Sequence, residues 1–356
     1  MNKKKLAPIL ADMHTHLNEK KLKPKDYWVG VKKRKLAVVA ITEHSYCKPK
    51  EAYLKLKNTQ PPGILLIPGM EAKTSAGDLL IYGENEELYN LPQLQQKNAP
   101  IKKVLQIIKE NNLTASFAHP YGYKLDSVCV VLGESQTLKL IQEYGVGTEY
   151  YNGMLASANE LMFGRSWVKK VYNLFNFVNT NRATHALRIY KTTDFPKKKM
   201  ENLAEDAVNR VRNGMLFAEN APFVSVGSDA HYPRSIGSSI IELKRKPKDE
   251  KEFIQMIKNK ETLWKGPNIY SKTPIDKVGK KEMVEGLAYL ARKNVLKQRK
   301  IYIADKISKK IRLSKRIKTI KRISKKANLS KIRRRLPKIK LKKRINNLKK
   351  KVGFGK

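Results

Sequence analysis

Short apolar runs alternate with longer stretches of helical spacing through roughly the first three quarters of the chain. The runs are Pro8–Met13, Leu36–Thr42, Ile64–Met70, Leu79–Tyr82, Thr114–Ala118, Val146–Tyr151 and Phe223–Val226. Each is short, rich in branched or aromatic side chains and bounded by polar or turn-forming residues, which predicts strands. Glu252–Glu261 reads as a closing helix. Strands that alternate with helices in this way predict an α/β domain with a largely parallel sheet or barrel.

The polar residues that end these runs add chemistry. In parallel α/β folds the carboxyl ends of the strands open on one face, where loops build the active site. His14 and His16 follow the first run, Glu43 and His44 the second, Glu71 the third, His119 the fifth, and Asp229 and His231 the last. Of the six histidines only His185 lies elsewhere. Residues two apart on a strand project to the same side, so His14 with His16, and Asp229 with His231, can each face one ion. Imidazole and carboxylate without thiolate suit Zn, Mn, Fe or Co, and a carboxylate such as Glu71 can bridge two ions. Glu43 and His44 are adjacent, so one of them faces the site; His44 is favoured, with Glu43 behind it or as an alternate ligand.

Cysteine and apolar content remove other classes. Cys47 and Cys129 are the only cysteines and form no Cys-x-x-Cys pair, which excludes a disulfide framework and a thiolate zinc site. Both are expected to be small buried or free thiols. The apolar run after Met1-Asn-Lys-Lys-Lys5 is too short for a signal peptide, and no run approaches the ~20 apolar residues of a membrane span. A cytoplasmic protein is expected.

Charge divides the chain. The formal net charge is +44, from 75 Lys and Arg against 31 Asp and Glu. From Ala291 to Lys356 there are 29 basic residues and one acid, Asp305, leaving 46 basic against 30 acidic for the first 290. Pro267 and Pro274 mark a linker, and a helix starts near Glu282. In the tail Ile307, Ile311, Ile317, Ile320, Ile323, Leu329 and Ile332 form a narrow apolar stripe among lysines and arginines until Pro337. Such a segment fits a cationic helix on nucleic acid, gaining from counterion release, or less well an anionic membrane surface, or a disordered solubilising tail.

Six segments in order resemble the polymerase and histidinol phosphatase (PHP) family of metal-dependent phosphoesterases. They are Asp12-Met-His-Thr-His16, Ile41-Thr-Glu-His44, Pro68-Gly-Met-Glu71 with Gly77-Asp-Leu-Leu-Ile-Tyr-Gly83, Phe117-Ala-His-Pro120, Glu149-Tyr-Tyr-Asn-Gly153 and Gly227-Ser-Asp-Ala-His231. The resemblance implies a distorted TIM-like (β/α)7 barrel, assigned to residues 1–266; composition and charge then give a linker and helix start at 267–290 and a basic, largely helical extension at 291–356. The resemblance also implies two or three divalent ions. Carried over position by position, His14, His16, Glu71 and Asp229 hold the first, Glu71 bridges to a second at His119, and His44 and His231 serve a third. Glu149 is a further ligand candidate, with Asn152 as the alternative. The usual Asp before the second-motif histidine is Glu43 here. Where three-ion members often supply another histidine, this chain reads Asn18-Glu-Lys-Lys-Leu22, with Glu19 or water as the substitute.

The expected activity is hydrolysis of a phosphoester, phosphatase or nuclease-type, by a metal-bound hydroxide, with Asp229, His231 and His119 as catalytic residues. The substrate is a phosphorylated small molecule or a nucleic-acid end. Arg234, three residues past His231, can fork onto two phosphate oxygens or form a surface salt bridge. Arg182 belongs to a basic, aromatic stretch, Phe163–Lys199, read either as a lip that grips substrate or as an amphipathic helix on the barrel. The rival reading is a non-catalytic nucleic-acid-binding protein with a structural metal-binding barrel; a metal-dependent amide or lactone hydrolase ranks lower.

Overall fold

A computed structural model describes residues 7–122, 126–157 and 194–271, without the side chains of 194–204 and 207. The chain divides into two units, residues 1–286 and 287–356, and every described residue belongs to the first. Arg182, His185 and the basic tail lie outside the described residues.

The described strands are β1 (Ile9–Thr15), β2 (Leu36–Ile41), β3 (Leu65–Thr74), β4 (Gly77–Tyr82), β5 (Thr114–Phe117), β6 (Gly147–Asn152), β7 (Val224–Gly227), β8 (Ser239–Leu243) and β9 (Thr262–Pro267). The seven runs read from the sequence are β1 to β7, with ends displaced by a few residues. The helices are α1 (Pro24–Lys33), α2 (Pro49–Lys57), α3 (Ile101–Glu110), α4 (Val128–Leu132), α5 (Glu134–Tyr144), α6 (Asp194–Ala218) and α7 (Glu250–Lys258).

One sheet runs β7-β6-β5-β4-β3-β2-β1-β8-β9. It nearly closes, because β1 also meets the end of β7: Asp229 N donates to His14 O at 2.8 Å and His16 N to Ala230 O at 2.9 Å. β1, β2 and β3 pair in parallel, as do β5, β6 and β7. Two features depart from seven repeated βα units. β4 follows β3 after a two-residue turn and runs against both its neighbours. The hairpin β8–β9 adds antiparallel strands to the free edge of β1.

The burial explains the sequence pattern. Adjacent strand residues alternate between two apolar layers. Val39, Ile41, Leu66 and Ile81 pack with Tyr27 and Val31 of α1, Leu56 of α2 and Leu105 of α3. Val38, Ala40, Ile67 and Leu80 pack with Phe253, Met256 and Ile257 of α7. Strands covered on both faces read as continuous apolar runs such as Leu36-Ala-Val-Val-Ala-Ile41. Local signals start the helices: Pro24 and Pro49 stand in the first turns of α1 and α2, and the Asp249 carboxylate accepts from Glu252 N at 2.7 Å at the start of α7. No helix among the described residues is long and apolar enough to cross a membrane.

The β1–β7 junction tolerates no side chain at Gly227, where a Cβ would collide with His14 Cβ and lie 2.6 Å from His14 N. Gly227→Ala therefore costs roughly 3 kcal/mol and lowers the thermal midpoint by about 6–12 °C. Gly214, within α6, has only Pro120 Cγ near its virtual Cβ, at 3.8 Å, so Gly214→Ala raises the midpoint by about 1–4 °C. Thermal unfolding of both variants checks the pair; equal effects would contradict the packing at the junction.

Candidate metal centre

The parallel strands deliver their C-terminal ends to one place. His14 lies in β1 and His16 one residue past it; His44 follows β2, Glu71 sits within β3, His119 follows β5, and Asp229 and His231 follow β7. A parallel bridge joins His44 to Glu71, fixed by Glu71 N to Glu43 O at 3.0 Å and Ser45 N to Glu71 O at 2.9 Å. His119 and Asp229 both take positive φ, 28° and 52°. Non-glycine residues in that region cost on the order of 1–3 kcal/mol, a strain that concentrates at functional sites.

Glu71 is at the middle. Its Oε1 lies 3.2 Å from His119 Nε2, and its Oε2 lies 2.7 Å from His44 Nδ1 and 3.6 Å from the Nε2 atoms of both His14 and His16. Asp229 Oδ1 faces the same two atoms, at 3.6 Å from His14 and 3.3 Å from His16. Thus the structure brings together His14, His16, His44, Glu71, His119, Asp229 and His231. His14, His16 and Glu71 are almost wholly buried.

The spacing is informative. Separations of 3.3–3.6 Å exceed a normal N–H···O bond. They match the edge of a tetrahedron of ligand atoms about 2.1 Å from a shared ion, roughly 3.4 Å. His14 Nε2 and His16 Nε2 are buried without a hydrogen-bond partner. Among the described residues, three groups of side chains have ligand atoms close enough for a common ion: His14 with His16 and Asp229, Glu71 with Asp78 and His119, and His16 with His44 and His231. Residues and spacing therefore fit divalent cations.

Electrostatics agree. Burial alone would depress the His14 imidazole, but the Asp229 and Glu149 carboxylates outweigh it and hold the ring well above its ordinary range. His119, also buried, is raised to about 9, chiefly by Glu71. Burial would raise Glu71, yet His44, His119 and His14 hold it well below the usual carboxylate range. Asp229 is likewise lowered against its burial, by His14, His16 and His231. The carboxylates demand positive charge at this point.

Other carboxylates orient the histidines. Glu149 Oε1 meets His14 Nδ1 at 3.0 Å, while its Oε2 accepts from His119 N at 2.7 Å and Asn152 Nδ2 at 3.0 Å. Asn152 also reaches Asp229 Oδ2 at 3.3 Å. Glu43 accepts from Leu17 N at 2.9 Å and from Asn18 N, and its Oε1 lies 3.6 Å from His16 Nδ1.

Some residues received no role from sequence reasoning alone. Asp12, buried behind His14, accepts from His14 N, Ser228 N, Ser228 Oγ and Gly237 N at 3.2, 2.9, 2.6 and 2.7 Å. Burial raises its carboxyl to about 6 in spite of these four donors. Asp78, on β4 opposite Lys73, has its carboxyl raised to about 6 by burial and by the Glu71 charge. Both stand inside the quoted motifs, which was the available signal. Arg234 is exposed in the loop after His231, and its carbonyl accepts from Arg34 Nη2 at 3.1 Å.

The chain's resemblance to the PHP family has a local counterpart in a family model, PHP_C, described as PHP-associated, which matches residues 221–262. That segment includes Asp229 and His231. No curated protein matches the chain. Among the solved structures, the chain is similar to a two-domain protein from Bacteroides vulgatus ATCC 8482 containing a predicted PHP-like metal-dependent phosphoesterase. The identity is 15% and the TM-score 0.42, over 72% of this chain and 64% of that one, so this chain spans less than two thirds of its length.

Asp12→Asn keeps the volume but turns an amide N–H₂ towards buried donors. The variant loses about 2–4 kcal/mol of stability, seen as a lower urea midpoint at unchanged slope. An unaltered midpoint would show that Asp12 does not hold β1 to the β7 loop.

Proposed function

We propose that this protein is a metal-dependent hydrolase that cleaves phosphoesters. The observation that carries the reading is the set of 3.3–3.6 Å separations that Glu71 Oε2 and Asp229 Oδ1 make with the buried, unpartnered Nε2 atoms of His14 and His16. Hydrogen bonding alone does not account for them, and a shared cation does. The PHP-associated match over residues 221–262 points the same way.

In this reading His14, His16, Glu71 and Asp229 hold one divalent ion, and Glu71 with His119 and Asp78 holds a second. Zn, Mn and Fe all suit this donor set. When bound, such ions lower the pKa of water and neutralise charge on phosphate oxygens. The chain's own residues do the rest. Glu149 fixes the tautomer and direction of His14 and, through His119 N, the turn after β5. Asn152 steers one oxygen of Asp229, leaving the other to face the imidazoles. His231, at the rim and 8% exposed, is placed to hand a proton to a departing oxygen. Arg234 is the candidate grip on the substrate phosphate, and its guanidinium suits bidentate contact.

Nucleic acid is the proposed partner of the tail, resting on 29 basic residues against one acid after residue 290. A nucleic-acid end is accordingly the favoured substrate over a small phosphorylated metabolite. The same charge also supports a non-catalytic nucleic-acid-binding protein whose barrel keeps its ions for stability.

The test joins elemental analysis to a panel of chromogenic phosphoesters and labelled oligonucleotides. Wild type carries divalent ions and hydrolyses at least one substrate. His16→Ala and Asp229→Ala lose ions and lower turnover by more than the ~10–100-fold that loss of an outer partner costs. Turnover that survives in ion-stripped protein would defeat the proposal. Tightly held ions with no cleavage in Mn, Zn, Co or Fe would favour the non-catalytic reading.

A further inference from the structure

Beside the metal centre stands an aromatic side chain that the fold does not use. Tyr46 is 48% exposed and packs in neither apolar layer. Its ring lies flat against His44, with centroids 5.1 Å apart and planes 9° from parallel. Lys97 Nζ stands over the same ring, 4.6 Å from its centroid. His44 in turn meets Glu71 Oε2 through Nδ1 at 2.7 Å. A line of contacts thus runs outward from Glu71 through His44 to Tyr46 and Lys97.

Both outer residues sit on fixed backbone. Ser45 N donates to Glu71 O at 2.9 Å and Cys47 N to His44 O at 2.8 Å, so Tyr46 is held from either side. The loop of Lys97, just before α3, is tied to the strand that carries Glu71. Asn98, at a φ of 59°, donates through N to Lys73 O at 2.8 Å, Ser75 N donates to Ala99 O at 2.8 Å, and Ala99 bridges Thr74. Lys73 is already committed, its ammonium 3.3 Å from Asp78 Oδ1 and 3.2 Å from Asp126 Oδ1. By contrast Lys97 is exposed, and its contact is the Tyr46 ring.

A large ring left half in water adds little to folding but offers a π-face to a planar ligand. An exposed cation–π contact is weaker than the stacking of a base on an aromatic ring. A base therefore displaces the lysine from the ring, and the freed ammonium can meet a phosphate. The line of contacts sets the order of groups in a fitting ligand: phosphate at the metal centre, planar group on Tyr46, further negative charge at Lys97.

We propose that Tyr46 and Lys97 form a nucleotide subsite, in which the base next to the scissile phosphate stacks on Tyr46 and an adjoining phosphate pairs with Lys97. The inference rests on the phosphoesterase reading above and deepens it, naming a base-bearing substrate over a sugar phosphate. Every base has a π-face, so the subsite selects for a base without selecting which.

The test uses full-length protein loaded with Mn²⁺ and calorimetric titration with two uncleavable phosphonates, the CH₂ analogues of adenosine monophosphate and of ribose 5-phosphate. The two differ in the base and carry the same charge, so the basic tail draws both alike. Wild type binds the adenosine analogue ~10–100-fold more tightly. Tyr46→Ala brings that affinity down to the level of the ribose analogue, whose own binding is unchanged, and Tyr46→Trp keeps the preference. Lys97→Gln weakens binding of the adenosine phosphonate extended by one nucleotide, with a shallower salt dependence, and holds the single nucleotide no more weakly than wild type does. Equal affinity of wild type for the two analogues, or binding of neither, would overturn the subsite. So would a Tyr46→Ala loss that falls on both alike, which is what a mere prop for His44 gives. A base preference that vanishes in Tyr46→Ala, in a protein that hydrolyses no phosphoester, would uphold the subsite and defeat the phosphoesterase reading instead.

Discussion

Burying Glu71 among imidazoles is the constraint on which the rest of the structure depends. A carboxylate taken from water costs several kcal/mol unless it is paired, and Asp12, Glu43, Asp78, Glu149 and Asp229 are buried near it as well. Five histidines face this set. Their neutral forms would leave a buried excess of negative charge, which is why His14, His44 and His119 are shifted upward against the effect of their own burial. Divalent cations meet the same demand with fewer groups, and the unpartnered Nε2 atoms point where they would sit.

The fold serves that demand by closing on it. Parallel strands bring their ends to one mouth, and the site is completed where β7 reaches β1. Asp12 gathers the Ser228 and Gly237 amides to His14, and Gly227 lets the two backbones approach. On the other side, α7 packs with Ala11, Val38 and Ile67 near the strands' beginnings. The apolar plug and the polar mouth thus occupy different stretches of the same strands. Positive φ at His119 and Asp229 is the backbone cost of turning ligands inward just past two short strands.

Much of this was legible in the residues. The seven runs became β1 to β7 because strands covered on both faces must be apolar throughout, and ligand-type residues stood at their ends because that is where a parallel barrel opens. The antiparallel course of β4 was not legible: Ser75-Ala76 gives no strong turn signal, and direction is decided by pairing with β5. β8 and β9 escaped notice because Ser239-Ile-Ile-Glu-Leu243 is brief and Gly266-Pro267 reads as a linker. Asp12 and Asp78 lay in plain view inside motifs, but nothing in a sequence separates a carboxylate that faces an ion from one that holds two backbone segments together. Glu19 had a sequence clue, the histidine missing before Leu22, yet its approach to both His44 and His231 required coordinates.

Anomalous diffraction at metal absorption edges, from crystals of the protein as purified, shows whether Glu71 sits among bound divalent cations. Strong peaks are expected about 2.0–2.2 Å from Glu71, one enclosed by His14, His16 and Asp229 and another towards His119. Ordered side chains at these positions with no anomalous peak, and Glu71 bonded only to protonated imidazoles, would contradict a metal centre here.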